Sequence, residues 1–303
     1  MRIAHETTPS VANGRLCIVL AAVLWSTSGA YTKLLTTPTS LLLNEPSIPP
    51  LMIACCRVFF AGAVLLPALR RRDLSFRPMM LATALSFALM NALYVTALAD
   101  SSQGASANAA LLQYTAPIWM YIVSVCLLGE PADGRGAVVL CIGLAGVAVI
   151  VWGGWQNDNL LVVAIALGSG VTFAGVMIGL RVMRDVSSRA LTVFNLLFSG
   201  FVLMPFLWGS AFPAPAQLVL LLIFGTSQMA LPYWLVARGL RSVSPQEAGT
   251  ITLLEPLLTP VWAYLVSPDT ETPTIYTFIG GTLILGALAW RYWPFRLEKE
   301  QRD

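Results

Sequence analysis

Long stretches without a charged residue dominate this sequence. Residues 78–99, 101–129, 136–157 and 159–180 each lack Asp, Glu, Lys and Arg altogether. Apolar residues make up 57% of the 303-residue chain and charged residues 11%, whereas soluble domains carry about 25% charged residues. A soluble fold of this size could not bury so much apolar surface. The chain is therefore predicted to be an all-α integral membrane protein.

The apolar stretches divide into ten spans, because a helix needs roughly 20 apolar residues to cross a bilayer. Stretch 190–237 is too long for one span, and the proline-containing segment 209–215 divides it. The predicted spans are 16–35, 49–69, 78–99, 101–129, 136–157, 159–180, two within 190–237, 244–266 and 273–293. They leave no room for a sizeable soluble domain.

The distribution of charge orients these spans. If ten spans alternate in direction, 16 of the 18 lysine and arginine residues fall on one side, and Lys33 and Arg57 are the exceptions. Loops on the other side carry the acidic residues Glu45, Asp100, Asp158, Asp269 and Glu271. Because loops rich in Lys and Arg stay in the cytoplasm, both termini are predicted to be cytoplasmic.

An internal repeat divides the chain into halves. Residues 117–124 and 260–267 are identical at five of eight positions, and each segment lies in the fourth span of a five-span set. Lys33 and Arg181 also correspond, at the ends of spans one and six. An odd number of spans per unit means that the second unit enters the membrane from the opposite side.

Two inverted five-helix repeats are therefore predicted, at 14–153 and 159–293, with cytoplasmic tails at 1–13 and 294–303. Inverted repeats are typical of secondary transporters, which hold the substrate near the midplane between the repeats. The sequence thus predicts ten transmembrane helices around a central cavity. A duplication without alternating access is the simpler alternative.

Short motifs recur in order along both units. They are Trp25-Ser26 in span one, Arg57 in span two, Gly129-Glu130-Pro131 after span four and Leu254-Glu255-Pro256 in span nine. In these motifs the chain resembles the drug/metabolite transporter superfamily, in its EamA branch, and within it the YddG-like exporters of aromatic amino acids. The resemblance implies two tandem five-helix units in a bacterial inner membrane. Segment 269–273 departs from the Gly-Glu ending of the first unit.

Glu255 is the strongest single candidate, because a carboxylate midway along a membrane span is expensive and usually functional. At 100° per residue, Thr252, Thr259 and Trp262 share its stripe. Pro256 lacks a backbone donor, which frees the carbonyl of Thr252. Glu255 is predicted to accept an ammonium group or a proton. The alternative is a hydrogen-bonded carboxyl that only fixes the helix.

Arg57 lies about 10 Å inside span two at 1.5 Å per residue. Snorkelling of its side chain to the surface is the favoured interpretation, and binding of a carboxylate is the alternative.

Polar and aromatic side chains in four other spans complete the predicted substrate site. These candidates are Trp25, Asn91, Tyr94, Asn108, Thr115, Trp119, Tyr233 and Trp234. Buried amides and hydroxyls need partners, so these groups should face inward. For each residue the alternative is an interhelical hydrogen bond.

The same inventory excludes several function classes. The single histidine, His5, lies in the polar N-terminal tail, and only one carboxylate lies deep in a span. An enzyme, a metal site, a cofactor and a nucleic-acid partner are therefore not predicted. Few charges and many aromatic residues favour a secondary transporter that exports aromatic and other large apolar amino acids, with the proton as a candidate coupling ion. Export of other small metabolites or lipophilic cations, or a channel, are the alternatives.

Overall fold

A computed structural model describes residues 10–69, 73, 76–126, 129, 131, 134–156, 159–183, 185–243 and 245–292, without the side chains of 135, 245, 246 and 292. The tails beyond these bounds, Glu130 and Asp158 lie outside the described residues. Within the described ranges the regular structure is helical throughout.

The helices of the first half correspond to predicted spans one to five. They are α1 (Val11–Ser26), α2 (Ser28–Thr36), α3 (Pro50–Leu65), α4 (Pro78–Ala99), α5 (Ala105–Gln113), α6 (Ala116–Cys126) and α7 (Gly134–Gln156). Spans one and four are each split into two helices, α1 with α2 and α5 with α6.

The second half corresponds to spans six to ten. Its helices are α8 (Leu160–Val182), α9 (Ser188–Leu203), α10 (Pro215–Phe224), α11 (Leu231–Gly239), α12 (Pro245–Thr252), α13 (Leu254–Val266) and α14 (Ile275–Tyr292). Span eight contains α10, a π-helix at Gly225–Ala230 and α11, and span nine contains α12 and α13.

Nine helices among the described residues are long and apolar enough to cross a membrane, and Ile275–Arg291 is a shorter apolar helix. An all-helical protein with multiple membrane spans is thus confirmed. The tenth span remains a prediction, since α14 is shorter than the other nine.

The packing between the two halves follows a regular scheme. Span five packs on span ten, two on seven and four on nine, so that each of these spans contacts its own counterpart in the other half. Contacts of span one with spans eight and nine are matched by contacts of span six with spans three and four. A two-fold relation between the halves would produce this scheme.

Loops predicted on the same side do meet. At one end, the side chain of Gln217 donates to the carbonyls of Leu43 and Pro46 at 2.9 and 2.8 Å, and the amide of Gly104 donates to the carbonyl of Thr270 at 2.8 Å. We call this end, where α2 finishes, the Lys33 end.

The opposite end, which we call the Arg181 end, holds the start of α1 and the finish of α8. Arg15 pairs with Glu247 there, and Arg77 with Asp185. These contacts join the loop regions that the alternating topology assigns to the cytoplasm.

Four spans are irregular close to their centres. Span one breaks at Thr27, span four at Tyr114 and Thr115, span nine at Leu253, and span eight carries the π-helix. Pro117, Pro256 and Pro232 follow three of these irregular segments, and each proline removes a backbone donor. Irregular backbone at membrane depth is tolerated only where it faces protein or a wet cavity, so these four irregular segments indicate where a site should lie.

Candidate functional site

Glu255 lies in the first turn of α13, just after the break in span nine, and is 8% exposed. The hydroxyl of Tyr114 lies 2.7 Å from its Oε2 and 2.9 Å from the carbonyl oxygen of Thr252. The carbonyl predicted to be freed by Pro256 thus has a partner, supplied by the break in span four. Tyr114 therefore fixes one carboxylate oxygen and joins the two broken spans.

Arg57 does not snorkel, and the favoured interpretation of this residue was wrong. Its side chain is 1% exposed, and its Nε donates to Oδ1 of Asn91 at 2.7 Å. Nη2 donates to the same oxygen, while Nη1 has no hydrogen-bond partner. Asn91 is itself fixed by a 2.9 Å bond from Nδ2 to the carbonyl of Ala54. The guanidinium therefore donates to an uncharged partner, Asn91, and its Nη1 group is available to donate to a ligand.

Aromatic rings cover the rest of the guanidinium. Its carbon lies 5.3 Å from the ring centre of Phe224 and 5.8 Å from that of Tyr94, and cation–π contacts of this kind partly compensate a buried charge. The Tyr94 hydroxyl is 3.0 Å from the hydroxyl of Ser28 in span one. The side chain of Arg57 thus packs between aromatic rings of span three and span eight.

Arg57 and Glu255 interact electrostatically without forming a direct ion pair. The two opposite charges therefore belong to one region, although within the described part of the chain each has only uncharged hydrogen-bond partners.

Spans one, eight and nine close this region. The rings of Trp25 and Tyr233 meet edge to face, with centroids 5.7 Å apart. Gln228, in the π-helix, donates to the carbonyl of Trp25 at 3.4 Å, and its buried Oε1 has no partner. Trp262 donates to Oγ of Ser26 at 2.9 Å. We define the central cluster as Trp25, Ser26, Ser28, Arg57, Asn91, Tyr94, Tyr114, Gln228, Tyr233, Glu255 and Trp262.

Some predicted residues make local or peripheral contacts instead. Thr115 accepts from the indole of Trp119 at 2.9 Å within span four, and Thr259 donates to the carbonyl of Glu255 one turn earlier. Asn108 accepts from Thr277 at 2.9 Å, which is an interhelical hydrogen bond between α5 and α14. Of these bonds, the one from Thr277 to Asn108 is an interhelical hydrogen bond, which was the alternative to substrate binding for each polar residue.

Trp234 lies outside the central cluster. Its side chain is 52% exposed and stacks on Arg238, with the guanidinium carbon 5.6 Å from the ring centre. It shares an outward face of α11 with exposed Leu231. The π-helix adds one residue to a turn, which rotates everything after it relative to a continuous α-helix.

Five members of the cluster were omitted from the predicted site: Ser26, Ser28, Arg57, Tyr114 and Gln228. Tyr114 lies three residues before Pro117, in the turn that this proline weakens. Gln228 lies four residues before Pro232. A polar residue about one turn before a proline in an apolar span could therefore have predicted that Tyr114 and Gln228 belong to the site.

A cleft of about 280 Å³ lies at the Arg181 end, between spans four, five, six and ten. Ser124, Met120, Arg181 and Arg291 are among its lining residues. Among the described residues, His, Cys, Asp and Glu form no group of three that could hold a metal ion.

Apolar spans that break at mid-depth around buried charges define a multi-pass membrane transporter. The chain belongs to the EamA-like transporter family, whose model matches residues 12–152 and again residues 160–292. Each half therefore contains one copy of the family's domain.

Relatives in other organisms agree with this class. An uncharacterized transporter of Archaeoglobus fulgidus is 28% identical over 282 residues, which covers 92% of this chain and 96% of the relative. The uncharacterized transporter YwfM of Bacillus subtilis is 26% identical over 253 residues, covering 80% and 81%. A solved crystal structure with 19% identity has a TM-score of 0.60 and covers 93% of this chain and 97% of that chain, which shows a shared fold.

Proposed function

We propose that the protein exports amino acids, with aromatic and other large apolar side chains, by alternating access across a bacterial inner membrane. The supporting observation is that Arg57 and Glu255 lie buried within electrostatic reach of each other without forming a direct ion pair. A buried charge without a counterion is costly. A zwitterion would supply both missing counterions at once.

The chemistry of each charge matches one end of an amino acid. A guanidinium with an uncommitted Nη1 donor binds a carboxylate through charge-assisted hydrogen bonds. A carboxylate that accepts only from Tyr114 on one oxygen can take an ammonium group on the other. In this proposal the carboxylate of the substrate faces Arg57 and its ammonium group faces Glu255.

The aromatic residues of the central cluster favour a large apolar side chain. Trp25, Tyr94, Tyr233 and Trp262 come from spans one, three, eight and nine. Aromatic pairs add about 0.5–1.5 kcal/mol beyond the burial of their area. This wall supports the narrower resemblance to the YddG-like exporters.

The packing scheme between the halves supports alternating access by inverted repeats. The contacts of spans two, four and five with their counterparts, together with the matched contacts of spans one and six, allow the halves to exchange conformations around one site. The bias of basic residues supports cytoplasmic termini, with the Lys33 end facing outward.

Counterflow in proteoliposomes tests the substrate. Vesicles loaded with unlabelled phenylalanine should accumulate labelled phenylalanine, with saturation. Leucine should behave in the same way, whereas a sugar phosphate should not. Flux of phenylalanine that stays linear with concentration would indicate a channel, and counterflow with sugar phosphate alone would overturn the amino-acid proposal.

Two variants and their matched controls test the site. Arg57→Gln and Glu255→Gln should each reduce counterflow of phenylalanine by about 100-fold, while Arg238→Gln and Glu247→Gln, which change charges outside the central cluster, should not. A lipophilic cation would need Glu255 but not Arg57. Transport of such a cation by Arg57→Gln, together with inactivity of the wild type toward amino acids, would favour the cation alternative.

A further inference from the structure

A second buried pair of opposite charges lies at the Lys33 end, away from the central cluster. Nζ of Lys33 is 2.6 Å from Oε1 of Glu271, and both side chains are 0% exposed. Lys33 ends span one in the first half, and Glu271 lies in the loop between α13 and α14 of the second half. The ion pair therefore joins the two halves directly.

Hydrogen bonds extend this connection to a third segment. Lys33 also donates to the carbonyl of Asp100, just after α4. Oε2 of Glu271 accepts from the amide of Ser106 at 3.1 Å, in the first turn of α5. Span one, the loop between α4 and α5, and the loop between α13 and α14 thus converge on two charges.

The backbones of these loops also approach closely. Gly104 has φ of +68°, in the left-handed region that favours glycine. A Cβ atom placed on it would lie 3.2 Å from Cα of Pro273. Together with the hydrogen bond from Gly104 to Thr270, this contact packs the two loops against each other around the ion pair.

The opposite end is arranged differently. Arg181 corresponds to Lys33 in the internal repeat, yet it is exposed and lines the cleft of about 280 Å³. One end of the molecule is thus sealed around its basic residue, while the corresponding residue at the other end faces an opening.

We propose that Lys33 and Glu271 form the outer gate of the transport cycle, closed in this structure and opened by separation of the two charges into water. The proposal rests on alternating access, which is part of the proposed function, but not on the identity of the substrate.

An ion pair suits such a gate for a physical reason. Burying two charges costs desolvation that their attraction only roughly offsets, and both are rehydrated when the pair separates. The closed and open states can then be similar in free energy. An apolar contact of the same size would favour closure alone, and a lone buried charge would favour opening.

The experiment measures access to the two ends in a version of the protein without its five cysteines. A reporter cysteine replaces Thr32, which is buried one residue before Lys33, or Met120 in the cleft. A membrane-impermeant maleimide is applied to the side that each reporter faces. No substrate is needed, so failure of the amino-acid proposal would leave this measurement unaffected.

Lys33→Ala and Glu271→Ala should each raise labelling at Thr32→Cys by about tenfold or more, because each leaves one buried charge unpaired. The same variants should lower labelling at Met120→Cys, because the two ends open alternately. The double variant Lys33→Met with Glu271→Met should label at Thr32→Cys no faster than the wild-type pair.

The matched control is the exposed ion pair of Arg77 and Asp185 at the Arg181 end. Asp185→Ala should leave labelling at Thr32→Cys unchanged. A rise at both reporters would indicate loosened packing and would overturn the gate, as would unchanged labelling in both single variants. Faster labelling of Thr32→Cys in the double variant would overturn it too.

Discussion

The two buried charge sites of this protein use the same chemistry in opposite ways. At the Lys33 end, a basic and an acidic side chain are in direct contact at 2.6 Å. In the central cluster, Arg57 and Glu255 are held by Asn91 and Tyr114 and make no ion pair with each other. At the first site each charge is paired with an opposite charge of the same chain. At the second site neither charge has a directly bound counterion, so both can bind charged groups of a ligand.

The difference lies in which neighbours fix each charge. The Lys33–Glu271 pair is formed by segments that end a helix or lie in a loop, so its members can move apart with those segments. Arg57 lies inside α3 and Glu255 in the first turn of α13, and each is fixed by a side chain from another span. Mutations should therefore change the closure of one end in the first site and substrate transport in the second.

The largest effect is expected from breaking the complete pair on one side. Lys33→Ala leaves a carboxylate unpaired, which destabilises the closed state by about 3–5 kcal/mol, and opening of the gate should relieve part of this loss. Lys33→Met combined with Glu271→Met should be close to wild type, since replacing both charges by apolar groups is often neutral. Thermal unfolding of the purified protein in detergent measures both, and equal losses in the two variants would contradict this account.

The central cluster should show the reverse behaviour. Arg57→Gln should reduce counterflow of phenylalanine by about 100-fold, because a charge-assisted hydrogen bond contributes roughly 1.5–3 kcal/mol. Its unfolding temperature should stay near that of the wild type, since the arginine has no charged partner to strand. A loss of stability as large as that of Lys33→Ala would show that the two sites do not differ in kind.

Tyr114→Phe tests the link between the broken spans. The variant removes one hydroxyl that serves both Glu255 and the carbonyl of Thr252. Leaving a buried acceptor unsatisfied costs about 1–3 kcal/mol, and transport should fall roughly tenfold through misplacement of the carboxylate. Tyr264→Phe, in an exposed position of α13, is the control and should transport normally.

The smallest effect is expected at the exposed pair of the Arg181 end. The side chains of Arg77 and Asp185 are 49% and 55% exposed. Asp185→Asn should change stability by less than about 1 kcal/mol. The difference in unfolding temperature between the wild type and this variant should shrink at high salt, because salt screens an exposed ion pair. A difference that does not change with salt would contradict the exposure of the pair.

Much of this arrangement could be predicted from local signals in the sequence. Charge-free stretches predict the spans, and the prolines predict a free carbonyl at Thr252 that does take part in the cluster. A carboxylate isolated in an apolar span identifies Glu255 without reference to any other segment.

Contacts between distant segments could not be predicted in this way. Arg57 was expected to snorkel because it lies only about 10 Å inside its span. Its partner Asn91 lies in another span, and the sequence does not fix how two spans are rotated against each other. The pairing of Lys33 with Glu271 joins the two halves of the chain. Trp234 was assigned to the site with the other aromatic residues of span eight, and the sequence does not fix which face of α11 points inward.

The membrane potential acts differently on these two charge sites. A unit charge that crosses the bilayer field gains or loses about 2.3 kcal/mol per 100 mV. Lys33 and Glu271 have no net charge as a pair, so a displacement that they share does no electrical work, and only their separation along the membrane normal couples to the field. Arg57 and Glu255 are separate charges near the middle of their spans, and displacement of either one alone couples to the field. Voltage dependence of transport is therefore expected where Arg57 or Glu255 moves, and at the sealed end only to the extent that Lys33 and Glu271 move apart along the field.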